Sequence, residues 1–328
     1  MPSSIPHPPS SSILVTGGAG FIGSHLVERL LADGHSVAVI DDFSTGNREN
    51  LKSISGNPRL RVMATKISGC PELPELIKDS AAIYHLAAAV GVELVVKSPI
   101  HTLETNLRET EVLLKAAAEH SAPLLLASTS EVYGKSEKPF FGEEDDLLIG
   151  PPHRSRWGYA CSKLMDEFLA LAYAQEKSLP VVITRLFNTV GPRQTGQYGM
   201  VLPRFISAAK RGKPLLVYGD GLQSRCFCFV KDTVEAMVRL QACAPARGQV
   251  FNIGGTEEIS ILDLAKLVVT TLGSKSSIEL LPYDQAYAPG FEDMRRRKPQ
   301  IEKLATAIGF RPVTTLREII QQAAAALP

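Results

Sequence analysis

Residues 13–23 read ILVTGGAGFIG. Ile13 to Val15 make a short β-rich run. Phe21 opens a stretch with helical spacing, in which Ile22, His25, Leu26, Arg29 and Leu30 fall on neighbouring turns before Gly34 ends it. Between strand and helix, Gly17, Gly20 and Gly23 stand at i, i+3 and i+6. A pyrophosphate must approach the helix N-terminus, where unpaired N–H groups and the dipole favour an anion. Side chains there would block it, and the third glycine lets helix and strand pack closely. A glycine triplet alone is a weak signal, but this one has the required strand before it and helix after it. The next strand, SVAVID, ends in Asp41, 18 residues past Gly23, with Asp42 beside it. A carboxylate at that point accepts hydrogen bonds from an adenosine ribose and repels a 2′-phosphate, so the expected cofactor is NAD rather than NADP.

Outward from this stretch the chain alternates. LRVMAT, AAIYHLAAA, APLLLAS and LPVVITRLFN read as the third to sixth strands, with helices from about Pro99 to Glu119 and from near Trp157 to Lys177. Strands alternating with helices of this length imply an α/β class, a doubly wound parallel sheet of the Rossmann type. After about Asn188 glycine and proline become frequent, as in VGPRQTGQYGMVLP, and the strands shorten to PLLVYG, SRCFCFV and VFNIGG. Helices near 231–243 and 260–272 intervene. The expected organisation is a dinucleotide domain over 13–188 and a smaller α/β lobe over 189–328. A segment of about 225–253 returns to the first sheet, because CFCFVKDTVEAMVRL again reads as strand then helix. Residues 1–12, MPSSIPHPPSSS, lack an apolar core and are expected to be a disordered tail, neither signal peptide nor transmembrane segment.

Composition narrows the function classes. The 328 residues carry a formal net charge of +1, so nothing points to nucleic acid or an acidic membrane surface as a partner. No apolar run approaches membrane-spanning length. Cys70, Cys161, Cys226, Cys228 and Cys243 show no zinc spacing, so no metal is expected, and free thiols in a reducing cytoplasm are. Alternation would put Cys226 and Cys228 on one face of one strand. The run Arg295–Lys298 reads either as a solvated turn or as an anion clamp.

Two more stretches carry chemistry. Residues 128–134, STSEVYG, end an apolar run with hydroxyls and a carboxylate. Such groups resist burial unless paired, so they cap something or face a ligand. Tyr159 and Lys163, at i and i+4, share one helical face. A phenol titrates near pH ~10 and is a poor base at neutrality. A nearby ammonium and a positive nicotinamide ring favour the phenolate, so a lowered Tyr159 pKa is expected, giving a base able to take a proton from a sugar hydroxyl.

TGGAGFIGSHL, HLAA at 85–88, STSEVYG, YACSK, RLFNTVGPRQ and FNIGG follow one another in this order. Over about Ile13 to Pro312 the chain thereby resembles the extended short-chain dehydrogenases that act as nucleotide-sugar epimerases, dehydratases and decarboxylases. The resemblance implies tight NAD binding by Gly17, Gly20, Phe21, Ile22, Gly23, Asp41, Asp42, Leu86, Ala87, Ala88, Asn106, Tyr159, Lys163 and Phe187. Thr129, Tyr159 and Lys163 would be the catalytic trio, with Asn106 supporting it. Phe187 and Asn188 would stand between nicotinamide and sugar, and Arg225 would bind the diphosphate of a nucleoside-diphosphate sugar. The implied opening step is oxidation at sugar C4. One departure is Lys66-Ile67, where family members commonly carry Asp-Ile and the Asp touches adenine.

The choice of reaction turns on Ser130-Glu131. A 4,6-dehydratase carries Asp-Glu there, and Ser is a poor acid. A simple 4-epimerase has no need of a carboxylate beside the sugar. Ser-Glu, the segment GPPHRSRWGYACSK and the later Arg297-Lys298-Pro299 resemble UDP-glucuronate decarboxylases, in which Ser130, Glu131 and Arg297 would act around C5 and the carboxylate. Against this, the loop AAAVGVELVVKSP lacks the CPASP-like form of enzymes making UDP-xylose, and NTVGPRQTGQYGMVLPRF occurs in 4-epimerases. The preferred reading is a decarboxylase acting on a UDP-sugar, with 4-epimerisation as the alternative, 4,6-dehydration behind it, and an NAD-sensing scaffold as the non-enzyme rival. Amphipathic helices near 98–119 and 157–178 are expected to pair in a homodimer, by resemblance.

Overall fold

A computed structural model describes residues 11–90, 98–154, 156–195, 200–282 and 294–327. Most of the expected tail, and residues 91–97 of the loop after the fourth strand, lie outside the described residues. The first strand, β1 (Ser12–Thr16), is followed by α1 (Phe21–Ala32), β2 (Ser36–Ile40), β3 (Leu60–Met63), α2 (Leu73–Lys78) and β4 (Ser80–His85). Then come α3 (Pro99–Glu119), β5 (Leu124–Thr129), α4 (Arg156–Lys177) and β6 (Val181–Leu186). These strands and β11 (Gln249–Ile253) form a seven-stranded parallel sheet in the order β11-β6-β5-β4-β1-β2-β3. The period-2 alternation of a strand divides its side chains between two cores. Ile13 and Val15 face Leu26, Leu30, Met237 and Val238 on one side, and Leu14 faces Leu113, Leu114 and Leu126 on the other. Because β1 sits between β2 and β4, connections diverge there, and a crevice opens at the carboxyl ends of the strands.

The smaller lobe has its own core. Here α5 (Val201–Lys210), α7 (Ile261–Leu272) and α9 (Leu316–Ala326) close around Phe205, Ile206, Leu264, Val268, Ile319 and Ile320. Its strands pair in twos: β7 (Thr189–Val190) with β10 (Cys228–Phe229), β8 (Leu215–Tyr218) with β13 (Ile278–Leu281), and β9 (Ser224–Cys226) with β12 (Glu258–Ser260). Two segments of this half return to the sheet. β11 joins its edge, and α6 (Val230–Ala242) packs Val234, Met237 and Leu240 into the first core. Leu304 of α8 (Glu302–Ile308) enters the same core, a return that lies beyond the 225–253 segment.

SRCFCFV is not one strand. Asn188, with φ at 28°, donates its side-chain amide to the Cys226 carbonyl (2.8 Å) and accepts the Cys228 N–H on its own carbonyl (3.2 Å). This wedge splits the run into β9 and β10, which pair with different strands. Cys226 and Cys228 therefore belong to two sheets, and both thiols are free. Among the described residues, no helix is long and apolar enough to cross a membrane and no cluster of His, Cys, Asp or Glu could hold a metal ion.

Candidate active site

A cleft of about 540 Å³ opens between the sheet and the lobe, lined by residues of both. At one end lies the glycine loop. The cap residue of α1 is Gly20, no side chain caps the helix, and its first turn holds no acidic residue, so its positive end faces the cleft bare. A Cβ on Gly23 would stand 2.1 Å from the Gly17 carbonyl oxygen, which only glycine avoids. A Cβ on Gly20 would meet only the Gly17 oxygen, at 3.2 Å, so a side chain there would grow into the space where a pyrophosphate belongs. Asp41 is buried just past β2. Its carboxylate accepts the N–H groups of Ala19 and Phe43, each at 2.8 Å, which leaves a lone pair on each oxygen for a ribose. Burial pushes the Asp41 carboxyl up, and those two N–H groups oppose the rise. The residues present fit a dinucleotide. Gly17, Gly20, Phe21, Ile22, Gly23, Asp41, Asp42, Leu86, Ala87 and Ala88 all line the cleft. Lys66 lines it too, and the nearby Glu109 carboxylate anchors the loop after β3 by accepting the Ser68 N–H (2.8 Å) and hydroxyl (2.7 Å).

The other end is built from STSEVYG, α4 and a distant basic segment. Ser128 is buried and donates its hydroxyl to Glu167, itself ion-paired to Arg185 at 2.8 Å. Thr129 ends β5 and accepts the Glu131 N–H at 3.2 Å, and its hydroxyl is hydrogen-bonded to that of Tyr159. The Glu131 side chain is not spent on the turn. Its carboxylate accepts a hydrogen bond from Arg297, whose second nitrogen donates to Asn188 Oδ1 at 3.1 Å. Arg297 reaches the site because residues 294–299 run alongside β9, where the Ser224 N–H donates to the Arg295 carbonyl. Alternation sends Arg296 and Lys298 to Glu258 and turns Arg297 inward. Thr129, Ser130, Glu131, Tyr159, Lys163, Asn188, Arg225 and Arg297 all line the cleft. This is a tyrosine and lysine at one wall of a dinucleotide cleft, with a carboxylate and a guanidinium facing them. Residues 13–254 match the NAD dependent epimerase/dehydratase family.

The chain belongs to the NAD dependent epimerase/dehydratase family. It is similar to the UDP-N-acetyl-alpha-D-glucosaminuronate decarboxylase of Bacillus cytotoxicus, 41% identical over 313 residues, which covers 94% of this chain and 96% of that one. UDP-glucuronic acid decarboxylase 1 of Danio rerio is 35% identical over 316 residues, covering 93% of this chain and 70% of the relative. Among solved structures, the UDP-glucuronic acid 4-epimerase from Bacillus cereus in complex with UDP-glucuronic acid and NAD superposes with a TM-score of 0.83. It is 31% identical, over 96% of this chain and 98% of that one. Like its family, the protein is an NAD-dependent nucleotide-sugar enzyme.

Three expectations for this family member need correction. Phe187 does not face the cleft. It is fully buried in a cluster with Val132, Tyr133, Phe141 and Met294, because the chain leaves β6 with Leu186 and Asn188 turned to the cleft instead. Asn106 is buried behind the wall and does not line the cleft. It accepts the Ala89 N–H (2.7 Å) and donates to Ser162 (3.1 Å), which pins the loop after β4 to α4. The chain's own groups do not, on balance, acidify the Tyr159 phenol. Burial raises its pKa, and the charges of Glu131 and Asp166 push it the same way. The ammonium expected to oppose this is held elsewhere, because Lys163 donates to Asp166 at 2.8 Å. Asp166 escaped the sequence reading. Its signal was a carboxylate one turn beyond Lys163, a spacing also shared by ordinary surface pairs.

Proposed function

We propose that the protein removes carbon dioxide from a UDP-linked hexuronic acid after transient oxidation at C4. The observation that carries this reading is Arg297. Its guanidinium lines the same cleft as Tyr159, donates to Glu131 and Asn188 there, and has a buried Nε with no hydrogen-bond partner among the described residues. A fork of donors in that place suits a sugar carboxylate. NAD, when bound, supplies a hydride acceptor at C4. Tyr159 takes the proton of the C4 hydroxyl, with Thr129 holding the phenol in place. The product is a β-keto acid, in which the C5–C6 bond breaks as carbon dioxide leaves and its electron pair passes into the C4 enolate. Glu131, beside Arg297, is then placed to manage the proton returned to C5, with Ser130 next to it. The likeness to two named decarboxylases supports this, and the Bacillus cytotoxicus relative adds a 2-acetamido uronate to the candidate substrates.

The second reading is 4-epimerisation of the same uronate, which the likeness to the Bacillus cereus epimerase favours. There Arg297 would hold a carboxylate that stays in place. Incubation of the NAD-loaded protein with UDP-glucuronate and, separately, its 2-acetamido analogue decides by product mass. Loss of carbon dioxide supports the proposal, an unchanged mass with an inverted C4 supports the epimerase, and no turnover of either refutes both.

We also propose a homodimer. Ile100 of α3 and Met165 and Phe168 of α4 are exposed apolar side chains on two neighbouring helices, and a second copy would cover them. Sedimentation of Phe168→Glu as a monomer and of the parent chain as a dimer is the expected pair of results. The free thiols fit a reducing compartment, the cytoplasm.

A further inference from the structure

FNIGG places Asn252 on the edge strand β11, opposite Arg185 of β6. Asn252 lies behind the cleft wall, and a polar side chain buried this completely must satisfy the donors and acceptor it carries. Its Oδ1 accepts the Tyr133 hydroxyl at 2.7 Å, and its Nδ2 donates to the carbonyls of Phe141 (2.8 Å) and Gln300 (3.2 Å). The orientation of this amide is forced. Arg185 has only donors and gives one to the Tyr133 oxygen at 3.1 Å, so the phenol proton turns to Asn252. Burial pushes that phenol up to about 12, which keeps the proton on it. Oδ1 is thereby taken, and Nδ2 must face the two carbonyls. The backbone is held as well, because the Asn252 N–H donates to Glu143 Oε1 at 2.8 Å.

These bonds reach both arms of the Glu131–Arg297 pair. Tyr133 closes the turn Ser130–Tyr133 that carries Glu131. Phe141 donates its N–H to the Lys298 carbonyl and accepts the Gln300 N–H, each at 2.9 Å, so it clamps the chain directly after Arg297. One side chain is thus bonded to the turn of the carboxylate and to both strands of the clamp on the guanidinium. We infer that Asn252 is a positioning residue for substrate recognition: it holds the turn bearing Glu131 and the segment bearing Arg297 in register, so that the guanidinium is set to meet a sugar carboxylate. An apolar side chain at this position leaves two carbonyls and a phenol unpaired in a dry wall, and the clamped segment must shift to satisfy them. Misplacement of a functional group by about 1 Å can cost about a hundredfold.

The inference rests on Arg297 recognising the uronate carboxylate, and Arg297→Ala tests that by itself. The measurement is calorimetric titration of the NAD-loaded full chain with UDP-glucuronate and with UDP-glucose, read as the ratio of the first affinity to the second, alongside thermal unfolding. In Asn252→Leu the ratio should fall at least about tenfold, with UDP-glucose weakened by less than about threefold. A merely structural role lowers the melting temperature and leaves the ratio alone. In an Arg297→Ala background, Asn252→Leu should change the ratio by less than about twofold, because the side chain it positions is gone. A folded Asn252→Leu with the parent's ratio, or an undiminished further loss on Arg297→Ala, overturns the inference. If Asn252→Leu does not fold, Tyr133→Phe decides, since it keeps the ring packed on Phe141 and removes the hydroxyl that orients the amide. Its ratio should fall about threefold or more, and an unmoved ratio overturns the inference. An unmoved ratio in Arg297→Ala sinks the recognition reading and the inference with it, whereas a lowered ratio there and an unmoved one in Asn252→Leu sinks only the inference.

Discussion

Arg297→Ala gives the sharpest test of how the cleft recognises its sugar. The side chain is 11% exposed and its partner Glu131 21%, so the pair is largely shielded from water and screening is weak. Truncating one member of a buried, hydrogen-bonded charge pair costs about 2–5 kcal/mol, much of it from the charge left behind. Because both side chains keep some exposure, about 2–4 kcal/mol is the appropriate part of that range. At about 1.4 kcal/mol per factor of ten, affinity for a uronate should fall roughly 30- to 700-fold. The Glu131 carboxylate, with the Arg297 charge gone, repels the substrate carboxylate and adds to the loss. UDP-glucose has no carboxylate and should weaken by less than about threefold, the scale of a lost rim contact. Isothermal titration of NAD-loaded protein with UDP-glucuronate and with UDP-glucose measures both. Equal weakening of the two ligands would assign Arg297 to the diphosphate or to the fold, and an unchanged uronate affinity would remove it from recognition altogether.

Other consequences follow from the same geometry. Tyr159→Phe should abolish turnover and leave nucleotide-sugar binding intact, as read by rapid-quench assay and calorimetry. Glu131→Gln should stall the reaction or release a keto sugar, detectable by borohydride trapping, whereas an epimerase would lose little. His85 is held neutral, with its pKa lowered from 6.5 to about 3 by burial first. A depressed histidine stabilises the fold above its unfolded pKa, so stability should drop as pH falls from 6.5 towards 3, by about 1.4 kcal/mol per unit for one proton. Urea unfolding at pH 5.5 and 4.5 should show that contribution in the parent, and a smaller pH dependence in His85→Asn, where the depressed His25 and His35 still contribute. Tyr84 is fully buried in β4, and its hydroxyl has no partner among the described residues. Tyr84→Phe should therefore stabilise the protein by about 1 kcal/mol, the cost of an unsatisfied buried hydroxyl, and a lower unfolding midpoint would show that the hydroxyl is satisfied.

Local pattern settled much of this protein. The alternation of short apolar strands with long helices yields the parallel sheet, since strands covered on both faces are apolar throughout and need helical crossovers. The glycine spacing locates the dinucleotide, because the requirement for close backbone approach is written into three positions near one turn. Tyr159 and Lys163 share a helical face by periodicity alone. What lay beyond the sequence were the partners of these groups, which come from elements far apart in the chain. Whether Glu131 capped a turn or faced the ligand depended on Arg297, 166 positions away, and on the alternation of residues 294–299 beside β9 that turns one arginine of a basic run inward. Whether Lys163 acidified Tyr159 depended on Asp166, whose burial between α3 and α4 makes it a binding counter-charge rather than a solvated neighbour. Whether Phe187 met the cofactor depended on the path of the chain after β6, where Asn188 adopts a positive φ. Periodicity fixes which face a side chain takes on its own element, but the field it experiences is set by whatever the tertiary packing brings against that face.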